Sequence, residues 1–211
     1  MRYLVFFLLF FIAFPGTSFA KGVGKSSAKA KTAPAKKVRA NEFKDKRDKQ
    51  TYRLVAIDDR VWFADNLNFA TEGSYCLKDE PDNCMAYGRL YTWQPAATAC
   101  PEGFRLPSQA DFESLWTAAG ADFNAGYLLK TDYDWAGKTN GNDTLKFSAM
   151  PAGNRFDDET YGNLYKFAFF WSADEEGTSA HVWYLTNKSM AFSYMTKPKN
   201  FGFSVRCVKN Q

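Results

Sequence analysis

The residues best suited to contact a ligand are concentrated between positions 133 and 143 of this 211-residue sequence. The segment combines two aromatic side chains with carboxylates, carboxamides and turn-forming glycines. Such mixtures bind sugars, because the apolar face of a sugar ring stacks on an aromatic ring while amides and carboxylates hydrogen-bond its hydroxyl groups. We therefore predict a ligand-binding site formed by Tyr133, Trp135, Asn140, Asn142 and Asp143.

Two other interpretations of this segment are open. In the first, Trp135 packs the loop onto the core and the polar residues cap turns, as Asn and Asp commonly do. In the second, Asp134, Asn140, Asn142 and Asp143 offer hard oxygen ligands to calcium, although their spacing does not match an EF-hand loop. We predict no metal site and no cofactor.

The sequence shows no catalytic constellation. His181 is the only histidine, and its place in an apolar, strand-like run favours a structural role, so neither a histidine metal cluster nor a Ser-His-Asp triad can be assigned. Glycoside hydrolysis needs two carboxylates, but the acidic clusters at 157–159 and 174–176 are typical of solvated turns. We predict no catalytic residue and no enzyme.

The four cysteines, an even number, predict two disulfide bonds if the chain is exported. Three pairings are open, and spacing favours Cys76 with Cys84, across a polar loop, and Cys100 with Cys207. A zinc site is the alternative, but the sequence contains no C-x-x-C pair and its histidine is remote from every cysteine.

Aromatic residues in short segments broken by Gly, Asn and Asp predict a β-rich or α+β domain. The runs 52–57 and 61–64 predict a hairpin, and 87–90 predicts a short strand. Alternating apolar residues predict further strands at 169–172 and 180–185, and near the chain end. There, Cys207 should face the core, while Arg206 points the other way and pairs with a carboxylate or joins a binding surface.

Two helices are predicted before the ligand-binding segment. Pro95 suits the first turn of a helix that would carry Cys100. Ser108 and Asp111 form an N-cap pair ahead of an apolar stripe in which Trp116 serves as a core anchor. Residues 127–165 lack periodicity and predict loops with short strands.

The amino-terminal residues predict export. Residues 1–20 have a basic start, an apolar run too short to span a bilayer, and a break before Ala20, which is typical of a cleaved signal peptide. Residues 21–44 predict a disordered basic linker. Its residues before Asn41 include seven Lys and Arg side chains and no aromatic residue. Residues 45–211 form the predicted domain. We expect no transmembrane segment in the mature chain and no nucleic-acid partner.

Several ordered blocks of the domain resemble a known family, the Fibrobacter succinogenes major paralogous domain. They read VWFADNLN, YGRLYTW, ACPEGFRLPS, FSAMPAGNR, FWS and GFSVRCVK, at 61–68, 87–93, 99–108, 147–155, 170–172 and 202–209. The resemblance implies a C-type-lectin-like fold, shared with sulfatase-modifying factors. That fold has two helices, a small twisted antiparallel sheet and a long loop-rich insertion. It also implies the Cys100–Cys207 pairing.

The motifs that carry chemistry in relatives of this fold are missing. Calcium-dependent lectins typically use a Glu-Pro-Asn or Gln-Pro-Asp loop with a Trp-Asn-Asp strand, and neither occurs here. Fold kinship therefore implies neither calcium-dependent sugar binding nor oxidase chemistry. Our leading hypothesis is an exported, non-enzymatic binding module for polysaccharide, or for adhesion at the cell surface. The alternatives are a structural or protein-interaction domain of the cell envelope and, third, a carboxylate-based hydrolase.

Overall fold

The structure is a computed structural model that describes residues 41–210. The predicted signal peptide and residues 21–40 of the predicted linker lie outside the described residues. Twelve strands fall within the described range: β1 Asn41–Lys44, β2 Thr51–Ile57, β3 Arg60–Phe63, β4 Ser74–Tyr75, β5 Leu90–Tyr91, β6 Phe104–Arg105, β7 Ala152–Arg155, β8 Tyr161–Leu164, β9 Phe167–Glu176, β10 Ser179–Thr186, β11 Ser189–Pro198 and β12 Val208–Lys209. Four α-helices accompany them: α1 Pro81–Tyr87, α2 Trp93–Ala96, α3 Gln109–Ala118 and α4 Ala125–Leu129.

The strands form antiparallel sheets, so the predicted mixture of helices and antiparallel strands is confirmed. One sheet has five strands in the order β1-β2-β3-β12-β6, a second has the order β11-β10-β9, and β4–β5 and β7–β8 are separate pairs. The described residues contain more than the expected two helices and one small sheet, because the strands divide among several sheets and α1 and α4 were not predicted. The predicted hairpin is confirmed, with Leu54 opposite Phe63 and Ile57 opposite Arg60.

The first strand lies in a segment predicted to be disordered linker. Asn41–Lys44 pairs with β2 along its whole length, from Asn41 opposite Leu54 to Lys44 opposite Thr51. Its Phe43 packs edge-on against Phe104 with ring centroids 4.9 Å apart, an apolar anchor that the Lys- and Ala-rich residues before it lack. Residues 41–44 therefore pair with the sheet of the domain, ahead of the predicted boundary at residue 45.

The helices confirm one prediction and correct two. Ser108 and Asp111 form a capping box at the start of α3, as predicted. Helix α2 is only four residues long and ends before Cys100, so the expectation that this helix carries the cysteine is wrong. Helix α1 extends to Tyr87, where a strand was predicted, and Gly88 with a left-handed φ of 75° separates it from β5.

Both predicted disulfides are confirmed. Cys76 is bonded to Cys84 with their Cα atoms 4.9 Å apart, and Cys100 is bonded to Cys207 with a Cα separation of 5.8 Å. The Cys207 side chain is buried in the core, as strand alternation predicted. The long bridge therefore ties the end of the chain to the segment that follows α2.

The core consists of two apolar clusters. The first cluster includes Trp62, Phe112 and Phe170 and lies between the five-stranded sheet, α3 and the β9–β11 sheet. Tyr91 and Phe203 belong to the second, which also contains Cys207. Burying such a side chain contributes about 1.5–3 kcal/mol, so these aromatic residues account for much of the stability of the fold.

Arg206 is fully buried between these clusters and forms no ion pair with a described residue. Its Nε donates to Asn66 Oδ1 at 2.6 Å and its Nη2 donates to the Ser148 carbonyl at 2.8 Å, while Nη1 donates to the carbonyls of Phe63 and Phe147. The predicted pairing with a carboxylate is wrong, because backbone oxygens take its place. Burial lowers the pKa of Arg206 to about 9.

Residues 127–165 contain loops with the short strands β7 and β8, as predicted, and a second buried cation holds the irregular part between α4 and β7. Lys130 is fully buried, and its Nζ donates to the carbonyls of Thr186 at 2.6 Å and Ser189 at 2.9 Å, at the β10–β11 turn. Burial lowers the pKa of this amine to about 8. Among residues 41–210, no helix is long and apolar enough to cross a membrane.

Candidate functional site

The structure places Trp135, the centre of the predicted ligand-binding loop, in the core. Only 4% of its surface is exposed, and its Nε1 donates to the Ala149 carbonyl at 3.3 Å. The ammonium of Lys130 lies 4.5 Å from the centre of its ring. With its ring covered in this way, Trp135 cannot stack against a sugar, so the prediction of a ligand platform at this residue is wrong. Trp135 instead packs the loop onto the core, which is the alternative interpretation of this segment.

The polar residues of the loop cap turns. Asn140 Oδ1 accepts the backbone N–H of Trp135 at 3.0 Å, and Asn142 Oδ1 accepts the backbone N–H of Thr144 at 3.1 Å. The Asp143 carboxylate accepts both the N–H and the hydroxyl of Ser148, each at 2.8 Å.

These turn contacts occupy oxygens that a sugar or a calcium ion would need. Within the described residues, no group of three or more acidic, Cys or His side chains is arranged to hold a metal. Of the five residues predicted to bind a ligand, Tyr133 keeps an exposed ring, half of whose surface is accessible.

A different surface brings aromatic and polar side chains together. A groove of about 500 Å³ lies between α3 and the strands β10 and β11. Its aromatic lining consists of Trp116, Trp183, Phe192 and Tyr194. We call this feature the aromatic groove.

Side chains from three elements, α3, β10 and β11, line the groove. On α3, Glu113, Trp116 and Thr117 are separated by three and four residues, so they share one helical face. Trp183 on β10 is directly paired with Tyr194 on β11. Phe192 precedes Tyr194 by two residues and therefore projects from the same face of the sheet.

The aromatic rings of the groove are in contact with one another. The ring centroid of Trp183 lies 4.7 Å from that of Phe192 and 5.4 Å from that of Tyr194. Trp183 is 3% exposed and forms the floor, whereas Tyr194 is 55% exposed and Trp116 is partly buried. Tyr194 and Trp116 are thus the rings that can present a face to a ligand.

A hydrogen-bonded chain fixes the floor and one wall. Gln109 Oε1 accepts from Trp183 Nε1 at 2.9 Å, and it lies 3.2 Å from His181 Nδ1. Because this oxygen only accepts, that contact requires the His181 tautomer with hydrogen on Nδ1. Gln109 Nε2 in turn donates to Glu113 Oε1 at 3.1 Å. Hydrogen bonds to Gln109 therefore fix the side chains of Trp183 and Glu113 in the groove.

The groove combines aromatic walls with the polar side chains of Glu113 and Thr117 from α3. Glu113 is the one carboxylate lining it within residues 41–210, whereas two-carboxylate hydrolysis needs a partner across the scissile bond.

Sequence reasoning missed the aromatic groove because it treated its residues separately. Trp116 was interpreted as a core anchor, and it does pack against the first core cluster while also lining the groove. His181 was assigned a structural role, which its contact with Gln109 supports. The pairing of Trp183 with Tyr194 had no local signal, since it depends on the register of two strands.

A second depression, of about 310 Å³, is more polar. Arg53 and Asp65 line it as an ion pair, with Arg53 Nη2 2.6 Å from Asp65 Oδ1, and Met85 and Met150 lie on its wall. Hydrogen bonding to Asp65 raises the pKa of Arg53. The Tyr133 hydroxyl is 3.9 Å from Met150 Sδ, so this residue of the predicted site borders the depression.

One family model matches the sequence of the domain. The model of the Fibrobacter succinogenes major domain matches residues 55–209, which is more than half of the chain. The chain belongs to this family. The match to the Fibrobacter succinogenes major domain includes α3, β10 and β11, so every element of the aromatic groove lies inside it. No curated protein and no solved structure matched the chain.

Proposed function

We propose that this Fibrobacter succinogenes major domain protein is an exported, non-enzymatic binding module that holds carbohydrate in the aromatic groove. The observation that carries the proposal is the exposed ring of Tyr194 facing the same groove as Trp116, over a floor of Trp183 fixed by Gln109. Fixed aromatic faces favour binding, because little side-chain freedom is lost when the ligand arrives.

Export is part of the proposal and is supported by residues of the sequence and by the disulfides. Residues 1–20 have the pattern of a signal peptide. Disulfides persist in oxidising compartments, and all four cysteines are paired. The protein would then meet polysaccharide or an adhesion partner at the cell surface.

We also propose a C-type-lectin-like fold for the domain. The long bridge between Cys100 and Cys207, the capped helix α3 and the irregular segment between α4 and β7 support it. The mode of binding proposed here is calcium-independent, because Glu113 is the one carboxylate lining the groove within the described residues.

The test is a pull-down on insoluble cellulose and xylan, combined with a soluble glycan array, using the full chain. We expect retention on at least one polysaccharide and loss of that retention in Tyr194→Ala and in Trp116→Ala. Tyr133→Ala is the matched control, because it removes an aromatic ring of similar exposure from the originally predicted loop. Retention that depends on Tyr133 and survives the groove variants would refute the assignment to the aromatic groove.

A second candidate function, protein interaction in the cell envelope, is favoured by the surface beside the polar depression. Met85 is 81% exposed and Tyr133 is 50% exposed, and Met, Tyr and Arg are enriched at protein interfaces. A photo-crosslinker introduced at position 85 in intact cells should capture one specific protein, with position 194 as the control. Capture of no specific protein at position 85 would remove this candidate.

A further inference from the structure

The aromatic groove carries one charge that its own structure does not neutralise. Glu113 is the one charged side chain lining the groove in the described part of the chain, and it forms no ion pair with a described residue. Its carboxylate is oriented by the side-chain amide of Gln109 at 3.1 Å. The carboxylate is therefore both exposed and held in place beside Trp116.

Two other carboxylates near α3 are already occupied. Asp111 lies between Arg60, with Nε 2.7 Å from Oδ1, and Arg105. Asp174 accepts the backbone N–H of Gln109 at 2.5 Å and the hydroxyl of Ser172 at 2.9 Å. Glu113 thus sets the charge that a ligand in the groove would meet.

The aromatic faces of the groove also carry no Lys or Arg side chain from the described residues. Elsewhere in the domain, Lys199 lies 4.6 Å above Trp93 and Arg47 lies 3.8 Å above Phe69. No Lys or Arg among residues 41–210 lies over Trp116, Trp183 or Tyr194. Aromatic faces beside a carboxylate attract an ammonium group, because the ring quadrupole and the carboxylate act in the same direction.

We infer that the aromatic groove selects a saccharide that carries protonated amines, a 2-amino sugar, over neutral and acidic saccharides. The inference rests on the proposed carbohydrate function and names the ligand class of the same site. The sugar ring stacks on Tyr194 or Trp116, and its ammonium group pairs with Glu113. A uronic acid in the same position would place its carboxylate against that of Glu113.

The experiment uses four tetrasaccharides of similar size, made of glucosamine, N-acetylglucosamine, glucose or galacturonic acid, and calorimetry on the full chain. The measurement is made at about pH 6, where the sugar amine is protonated. We expect the glucosamine tetramer to bind about tenfold more tightly than the glucose tetramer, a difference of about 1.4 kcal/mol. The galacturonic acid tetramer should bind most weakly. Raising the salt from about 0.01 M to about 1 M shortens the Debye length from about 30 Å to about 3 Å, and the preference should shrink with it.

Glu113→Gln tests the assigned residue. This variant should bring the affinity for the glucosamine tetramer down to that for the glucose tetramer. Glu176→Gln removes the same charge from an exposed position outside the groove and should keep the preference. A glucose tetramer that binds as tightly as the glucosamine tetramer, or a preference that survives in Glu113→Gln, overturns the inference and leaves the carbohydrate proposal standing. Absence of binding by all four ligands, by the polysaccharides and by the glycan array overturns both.

Discussion

Replacing Arg206 with methionine should destabilise the domain by about 3–5 kcal/mol. The substitution keeps an unbranched side chain but removes the donors to the carbonyls of Phe63, Phe147 and Ser148 and to Asn66 Oδ1. A buried acceptor that loses its donor costs about 1–3 kcal/mol, so four of them would cost about 4–12 kcal/mol. Removing the buried charge offsets part of that loss, because burial disfavours the guanidinium, as its lowered pKa of about 9 indicates.

The measurement is urea unfolding followed by tryptophan fluorescence, with the disulfides intact. Arg53→Met is the matched control, because Arg53 forms an exposed ion pair with Asp65 and its loss should cost no more than about 1 kcal/mol. A methionine variant at position 206 that is as stable as the wild type would refute the reasoning. It would show that the burial penalty of the charge equals the value of its hydrogen bonds, as happens for some buried ion pairs.

Two further predictions concern the disulfide bonds and the second buried cation, Lys130. On the chain-entropy model, replacing Cys100 and Cys207 with serine should lower the free energy of unfolding by about 5 kcal/mol, because the bridge closes a sequence separation of 107. The same change at Cys76 and Cys84, with a separation of 8, should lower it by about 2.5 kcal/mol. Equal shifts of the urea midpoint in the two double variants would contradict this. Burial lowers the pKa of Lys130 from 10.5 to about 8, so between these values the unfolded state binds more protons and the free energy of unfolding should rise with pH, by up to about 3 kcal/mol. Lys130→Met should remove that rise, and a variant with an unchanged pH slope between about pH 8 and pH 10.5 would show that burial does not perturb this amine.

Local signals in the sequence were sufficient for several parts of the fold. The capping box of α3 involves residues three apart, and the β2–β3 hairpin involves neighbouring runs, so both could be predicted from short windows. The disulfides followed from spacing, and the family from ordered blocks that the family model confirms.

Long-range contacts decide what the sequence could not show. The residues around Trp135 have the composition of a ligand-binding loop, yet the Trp135 side chain points into the core and donates to the Ala149 carbonyl. Arg206 looked like a partner for a carboxylate because its backbone acceptors, Phe147 and Ser148, are almost 60 residues away in the chain. The aromatic groove needs the register of β10 and β11 and the position of α3 across them, and no short window contains that information.

The most direct test of the central claim is an NMR titration that follows the indole N–H signals of the six tryptophans. The titrant is the oligosaccharide that corresponds to the best-retained polysaccharide. The signals of Trp116 and Trp183 should shift together, because both line the aromatic groove, and the signal of the buried Trp135 should stay in place. Shifts confined to Trp135 and its loop, with none at Trp116 or Trp183, would contradict the assignment of carbohydrate binding to the aromatic groove.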